Sequence, residues 1–440
     1  MIANTLKKVV PVRDGEIGAM LLATAYGFCI LLSYYILRPV RDEISVEDRG
    51  NLQYLWTAVF LVMVFVAVPL YSAVVSRFSR GVFVPLANRF FAANLLIFVA
   101  LLYLLPESAR PWIDRVFYVW TSVFALFVVT VFWGFIVDLF HNEQGKRIFG
   151  FIAMGASVGA IAGSSLTAEL VTIVPVFTLL LIAVVPLEAA AWCAHILHRR
   201  SALANVAMRK EESEPIRGTA FTGMRVVFAS PYLRHIALFI ALMTFASTML
   251  YYQQADLIRD AFPDDRAARQ ALLANIDRAV NVITIFTQAF LTAHVIKRVG
   301  IGLSLAFIPG LAFLGFLSLG IYPLLAVLVV AQVAYRAGRY AVAKPAREVL
   351  FTVVGREERY KSKSFLDAAV YRGGDLASGW IYTGLAAIGL SLGAIALVAV
   401  PFAAIWAGTG LALGRRQENI VRQDPRSDSK APGVHQTATQ

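Results

Sequence analysis

The sequence predicts an all-α protein that crosses a membrane about twelve times, with its helices in two sets of six. Three observations predict this fold. The 440 residues are 58% hydrophobic and only 15% charged, whereas soluble domains carry about 25% charged residues. Apolar runs of roughly 20 residues recur along the chain, each long enough to cross about 30 Å of hydrocarbon. A polar, basic stretch divides these runs into two equal groups.

Six helices are expected on each side of this central stretch. Those of the first half lie near residues 17–38, 53–76, 82–105, 113–139, 147–169 and 171–197. Those of the second half lie near residues 233–256, 275–297, 302–321, 323–342, 364–388 and 390–413. The chain thus divides into an N-terminal segment (1–16), a first half (17–197), a central loop (198–232), a second half (233–413) and a polar tail (414–440). We expect the tail to be disordered. This layout is that of the major-facilitator architecture, in which substrate binds between two six-helix halves near the midplane.

Lysine and arginine concentrate in alternate loops, which predicts the orientation. The inside segments would include the basic termini and the central loop, and the outside loops are richer in acids. By the positive-inside rule, both termini are cytoplasmic, and we expect a bacterial inner membrane. The net charge of +12 therefore reflects membrane topology, and no nucleic-acid partner is expected. We expect the lipid bilayer as surroundings and a monomeric protein.

Enzyme motifs and metal-ligand clusters are absent from the sequence. It contains no HExxH, GxSxG or Walker-type glycine loop, so an enzyme is poorly supported. Cys29 and Cys193 lie in apolar runs and indicate neither a disulfide framework nor a metal site. We expect no cofactor and no metal.

The end of the first predicted helix reads YYILRPVRDEI, with Arg38 and Arg41 one turn apart. Guanidinium groups bind phosphate or carboxylate in a bidentate way, so the pair would suit the mouth of an anion-binding cavity. The alternative is an ordinary helix end whose arginines extend to the interface. Pro39 is expected to end or kink the helix here.

The fourth predicted helix ends with Asp138, and a GxxxGxxxG stripe at Gly155, Gly159 and Gly163 follows in the fifth. Small residues at this spacing let a neighbouring helix approach closely, so the stripe predicts packing. In the seventh helix, Tyr251 to Gln254 offer ring faces and hydrogen bonds to a polar planar ligand. An interfacial aromatic belt is the alternative.

The most charged stretch of this apolar chain runs from Arg336 to Asp375. Charge at membrane depth is costly and usually lines a cavity or a path. We expect Arg336 and Arg339 in the inner half of the tenth helix and Lys344–Lys363 in a cytoplasmic loop, where charge also serves as a topology signal. Asp367, Arg372 and Asp375 would then lie inside the eleventh helix.

Several of these stretches together resemble the nucleotide transporters, which are the ATP/ADP translocases of plastids and intracellular bacteria with their NTP/NDP exchange relatives. The stretches that carry the resemblance are ILRPVRD at 36–42, WGF at 133–135, EQGKRIFGFIAMGASV at 143–158, RYAVAKPAREVLFTVV at 339–354 and KSKSFLDAAV at 361–370, followed by Gly373–Gly374. The resemblance implies that Arg41, Lys363 and either Asp138 or Glu143 match the family's charged substrate-site positions. The family's acid in the seventh helix is replaced by Gln253 or Gln254, with Asp256 beyond.

The sequence therefore predicts a secondary transporter that moves an anionic solute, a nucleotide first, by alternating access. The candidate substrate-binding residues are Arg38, Arg41, Asp138, Glu143, Gln253, Gln254, Arg339, Arg347 and Lys363. The candidate gate residues, expected to exchange ion-pair partners, are Lys146, Arg147, Glu348, Asp367, Arg372 and Asp375. Proton coupling through Asp138 or Asp367 is left open. Two alternatives also stay open, namely a transporter of peptides, drugs or other organic anions in the same fold, and a membrane scaffold or assembly protein.

Overall fold

A computed structural model describes residues 16–78, 80–140, 142–204 and 220–423, and within these ranges the chain is helical apart from short connections. The first six helices are α1 (Ile17–Glu47), α2 (52–77), α3 (Arg80–Leu104), α4 (Arg110–Leu139), α5 (Asn142–Leu170) and α6 (Val176–Ala204). A short helix α7 (Ala220–Ala229) precedes α8 (Pro231–Ala261), α9 (Arg266–Phe290), α10 (Thr292–Ile321), α11 (Leu325–Leu350), α12 (356–387) and α13 (Leu392–Gln423). The predictions for the first 15 residues, for most of the central loop and for the tail fall outside the described residues.

The helix count agrees with a polytopic membrane protein. Ten of the described helices are long and apolar enough to span a bilayer. The two further long helices, α9 and α12, occupy the places of the eighth and eleventh predicted spans. Both carry polar residues that contact other helices, such as Asp277 of α9 with Arg336 and Asp375 of α12 with Thr248.

Several predicted boundaries are wrong. Helix α1 continues through Pro39 to Glu47, so Arg38 and Arg41 lie inside the helix and not in a loop. Proline removes only one backbone hydrogen bond, and buried side chains on both sides of it hold the helix together. Helix α9 begins at Arg266 rather than near residue 275, and most of the predicted loop 344–363 is helical. Each of these stretches is charged, and tertiary ion pairs stabilise it as helix.

The two halves repeat the same helix pairings, although no sequence repeat is visible. In the first half α1 packs on α4, α5 and α6, while α4 packs on α2 and α3, and α3 on α6. In the second half α8 packs on α11, α12 and α13, while α11 packs on α9 and α10, and α10 on α13. Each pairing of the first half thus has its counterpart in the second. The halves meet through α5 with α9, α2 with α12, and α1 with α8 and α9.

The glycine stripe on α5 packs against α1, as the sequence predicts. A side chain at Gly155 would meet Thr24, and one at Gly159 would meet the backbone of Phe28. At Gly163 an added Cβ would lie 2.5 Å from the carbonyl oxygen of Leu32. The backbones of α1 and α5 therefore approach each other closely over more than two turns.

Within the described ranges, three helices contain a π-helical turn, at Met63–Ala67 in α2, Arg339–Ala343 in α11 and Leu366–Val370 in α12. Such turns accommodate one extra residue and are frequent at functional sites. The turn in α11 begins at Arg339, and both Arg339 and its neighbour Tyr340 line the cavity described below.

Candidate functional site

A polar cavity lies between the two halves. Its volume is about 180 Å³. Three helices of the first half (α1, α2, α4) and three of the second (α8, α11, α12) contribute to it. The lining residues are Arg38, Arg41, Asp42, Trp56, Val59, Phe60, Tyr118, Ser122, Ser247, Tyr251, Gln254, Gln332, Arg336, Arg339, Tyr340, Tyr371, Arg372, Asp375 and Leu376.

The cavity lies near the middle of the bundle. We call the end that holds Glu47, Leu104 and Ala261 the outer end, following the orientation that the charge pattern predicts. Arg38 and Arg336 lie roughly 13 to 17 Å along their helices from this end. That depth is about half of a 30 Å hydrocarbon core. The arginines are therefore at membrane depth and belong to the interior of the protein.

The cavity carries an excess of positive charge. Five arginines line it, against the two carboxylates of Asp42 and Asp375. One further carboxylate, that of Asp277, is buried behind the lining and contacts Arg336 and Arg38. Among the described residues the cluster thus has two more guanidinium groups than carboxylates. Because buried cations are costly without partners, this excess favours an anionic ligand.

Four of the five arginines have a carboxylate partner. Arg41 Nη2 lies 2.5 Å from Asp42 Oδ1, and Arg38 Nε lies 3.5 Å from both Asp42 Oδ2 and Asp277 Oδ2. Arg336 Nη2 lies 2.5 Å from Asp277 Oδ1. Arg372 Nη1 reaches Asp375 Oδ2 at 4.0 Å.

Arg339 differs from the other four. Its Nη1 donates to Ser247 Oγ at 3.0 Å, and its Nη2 donates to the hydroxyl of Tyr371. It has no carboxylate partner within the described part of the chain. Two neutral hydroxyl groups satisfy hydrogen bonds but do not neutralise the charge. Arg339 is therefore the arginine most open to a ligand phosphate.

Aromatic rings and amides complete the cavity wall. The rings of Trp56 and Tyr251 are 5.4 Å apart, and the hydroxyls of Tyr118 and Tyr251 are 3.3 Å apart. Tyr251 also donates to Asp42 at 3.1 Å. Gln332 Nε2 donates to Gln254 Oε1 at 2.8 Å. Ring faces and a carboxamide suit a planar ligand that carries hydrogen-bonding groups.

A second set of ion pairs joins the two halves at the outer end. Arg49 Nε lies 2.7 Å from Asp256 Oδ1, and Tyr382 donates to the other oxygen of Asp256 at 2.7 Å. Arg266 Nη2 lies 2.7 Å from Glu43 and 2.9 Å from Asp114. In addition, Arg269 Nη1 lies 2.5 Å from Glu47. We call these pairs the outer gate.

At the inner end, three ion pairs each lie within one half of the protein. Lys363 contacts Glu348, and Arg347 lies 3.9 Å from Asp367, but all four residues belong to the second half. Arg147 pairs with Glu16 at 2.8 Å within the first half. The outer gate therefore closes the outer end of the cavity by ion pairs between the halves.

The predicted site residues fall into three groups. Six line the cavity, namely Arg38, Arg41, Gln254, Arg339, Arg372 and Asp375. Seven others lie away from its lining, namely Asp138, Arg147, Gln253, Arg347, Glu348, Lys363 and Asp367. Asp138 is exposed near the end of α4, and Gln253 donates to the carbonyl of Leu392 at 3.3 Å. The side chains of Glu143 and Lys146 are outside the described part of the structure.

The prediction missed several residues of the site. Asp42 stands within ILRPVRD and Asp277 within the predicted eighth helix, but neither is among the predicted site residues. Both are buried carboxylates that hold cavity arginines. The tyrosines 118, 340 and 371 were missed too.

Known proteins agree with this architecture. A model of the family described as TLC ATP/ADP transporter matches residues 104–408. The chain belongs to this family. It is 24% identical to the plastidic ATP/ADP-transporter of Solanum tuberosum, over 98% of this chain and 77% of that protein. It is 21% identical to ADP,ATP carrier protein 1 of Chlamydia trachomatis, over 90% of this chain and 86% of that protein.

Solved transporter structures share the fold. The nucleoside transporter NupG superimposes with a TM-score of 0.61 at 12% identity, covering 94% of this chain and 100% of that one. A bacterial homologue of the iron transporter ferroportin in an inward-facing state gives a TM-score of 0.62 at 12% identity, covering 92% and 100%. At this identity the similarity shows the fold alone, which is the major-facilitator-like arrangement predicted from the sequence.

Proposed function

We propose that this member of the TLC family exchanges adenine nucleotides, ATP against ADP, across a bacterial inner membrane by alternating access. The observation that carries the proposal is the excess of guanidinium groups in a cavity shared by the two halves. Relatives named as ADP,ATP carriers supply the identity of the nucleotide. The positive-inside pattern supports an orientation with both termini in the cytoplasm.

The cavity offers a place for each part of a nucleotide. Arg38, Arg336 and Arg339 would bind the phosphates, because guanidinium groups form paired hydrogen bonds with phosphate oxygens. Trp56 and Tyr251 would contact the base, since base–aromatic stacking contributes about 1–3 kcal/mol. A multiply charged anion cannot enter hydrocarbon, so this lining replaces the water that it loses.

Charge also gives a physical reason for exchange. When the cavity closes on both sides, every group in it is removed from water. An empty cavity would then enclose guanidinium groups without compensating anions, at a cost of several kcal/mol per uncompensated ion. A bound nucleotide supplies that compensation. The loaded protein therefore closes far more readily than the empty one, in either direction, and inward movement of one nucleotide depends on outward movement of another.

The decisive experiment is uptake of radiolabelled ADP into liposomes that contain the purified protein. With ATP inside the liposomes we expect uptake at least about tenfold faster than with buffer inside, because only the loaded carrier returns. Inorganic phosphate and a dipeptide inside the liposomes serve as controls. Uptake that is independent of internal nucleotide would contradict exchange, and absence of nucleotide uptake under every loading would contradict the proposed substrate.

A further inference from the structure

Asp277 holds one cavity arginine from each half of the protein. It lies in α9 and is 2% exposed. Its Oδ1 accepts a hydrogen bond from Arg336 Nη2 at 2.5 Å, and its Oδ2 lies 3.5 Å from Arg38 Nε. Arg336 belongs to α11 of the second half, whereas Arg38 belongs to α1 of the first half. Both arginines line the cavity, and Asp277 lies just behind them.

The contact with Arg38 is attractive but incomplete. Neither Asp277 Oδ2 nor Arg38 Nε has a hydrogen-bond partner among the described residues, although both atoms are buried. A separation of 3.5 Å between two ions gives Coulomb attraction without a well-formed hydrogen bond. A buried donor without a partner costs about 1–3 kcal/mol. Arg38 would therefore gain a hydrogen bond by turning toward another anion.

Asp42, the other carboxylate near Arg38, is placed differently. It lies four residues further along the same helix and contacts Arg38 and Arg41, so its ion pairs stay within the first half. Asp277 alone among the described cavity carboxylates joins arginines of both halves. An anion that took its place would change the contact between the halves at the depth of the site.

We infer that Asp277 is an internal competitor of the substrate. In the empty protein its carboxylate holds Arg38 and Arg336, and the phosphate groups of the ligand take over these two guanidinium groups on loading. This inference rests on the proposed function, because it assigns the phosphate contacts of that same site. Competition lowers the affinity for nucleotide, and it returns the arginines to a partner when the ligand leaves. A transporter needs both effects, since tight binding would stop the cycle.

The test is Asp277→Asn, which removes the competing charge and keeps the size of the side chain. Without the competitor we expect the dissociation constant for ADP to fall about tenfold. We also expect maximal exchange to fall by a similar factor, because release becomes slow. Binding is measured on purified protein by calorimetry, and exchange in nucleotide-loaded liposomes. A purely structural role would weaken binding together with exchange, so this opposite movement distinguishes the two.

Two further variants serve as controls. Asp277→Glu keeps the charge and should bind ADP within about twofold of the wild type. Glu188→Gln breaks the ion pair between Arg89 and Glu188, which are exposed and lie away from the cavity lining. This variant should leave binding and exchange unchanged. If Asp277→Asn does not fold, the single variant Arg336→Gln is compared with the double variant Arg336→Gln/Asp277→Asn. The double variant should then bind ADP more tightly than the single variant.

Each outcome has one meaning. Weaker binding of ADP by Asp277→Asn than by the wild type overturns the inference while leaving the proposed function intact. Weaker binding by the double variant than by Arg336→Gln alone has the same consequence. If the wild type binds neither ATP nor ADP, the proposed function fails first. Inorganic pyrophosphate is then the probe, and tighter pyrophosphate binding by Asp277→Asn would still support competition for the two arginines.

Discussion

Single residues of the cavity differ in what they contribute, and Arg339 shows this best. It lacks a carboxylate partner among the described residues, so replacing it leaves no buried acid without its cation. We expect Arg339→Gln to raise the dissociation constant for ADP about 10- to 100-fold, the loss of one or two charge-assisted hydrogen bonds. The free energy of unfolding should change by less than about 1 kcal/mol, because neutral partners remain. Calorimetric titration and thermal unfolding measure the two effects.

Arg336→Gln is the matched comparison, one helical turn away on the same helix. It removes the arginine that, among the described residues, hydrogen-bonds to Asp277, and breaking a buried pair costs about 3 kcal/mol. We expect a clear fall in the unfolding temperature, in contrast to Arg339→Gln. Equal loss of stability in the two variants would mean that the charge of Arg339 is compensated in the folded protein.

The same residues show how much of the site the sequence could predict. Arg38 and Arg339 are predictable, because a guanidinium group beside apolar helix sequence must lie in a cavity or at an interface. Asp42 and Asp277 are not, because an acid near a helix end looks the same whether it faces water or a buried arginine. Asp277 pairs with Arg336, which is 59 positions away, and Asp42 accepts a hydrogen bond from Tyr251, which is 209 positions away. Such a pair is defined only by the packing of helices.

Individual helices depend on close backbone contact, and the pair α1 and α5 gives an example. An added Cβ at Gly159 would lie 2.9 Å from both the Cα and the carbonyl carbon of Phe28. Because these are backbone atoms, the helices would have to separate. We expect Gly159→Ala to lower the free energy of unfolding by about 1–3 kcal/mol, the cost of overpacking. Thermal unfolding in detergent measures this loss.

Gly150 provides the control on the same helix. An added Cβ there would meet no atom within 4 Å, and alanine favours the helix by up to about 1 kcal/mol. Gly150→Ala should therefore be as stable as the wild type or slightly more stable. A similar loss from both substitutions would mean that α5 tolerates no side chain for a reason other than its contact with α1.

The helices themselves were predictable to different degrees. Long apolar runs such as α6 and α13 were found from hydropathy alone, because lipid contact demands apolar residues along the whole span. The C-terminal end of α1 and the start of α9 were not, since they carry the charges of the outer gate. These residues meet across the two halves and stabilise helical turns that would otherwise resemble loops. The charges of the outer gate thus made these helical segments look like loops in the sequence.

For the molecule as a whole, the outer gate determines from which side of the membrane the cavity is accessible. Its ion pairs connect α1, α4 and Arg49, in the turn after α1, with α8 and α9 of the second half. An outward-facing state requires that these pairs separate. Each of them therefore contributes to the free-energy difference between the two states, and its removal shifts the populations by the lost contact energy.

Asp256→Asn tests this role of the outer gate, because it removes the charge that Arg49 contacts and leaves an oxygen for Tyr382. We expect the outward-facing population to rise about tenfold if the pair contributes about 1.4 kcal/mol.

The measurement uses Ser247→Cys in a protein whose two native cysteines are replaced by alanine, so that only the cavity thiol reacts. A membrane-impermeant thiol reagent applied from outside should label this thiol faster with Asp256→Asn than without it. Glu188→Gln in the same background should not change the rate. Equal rates with and without Asp256→Asn would mean that the remaining bridges close the outer end on their own.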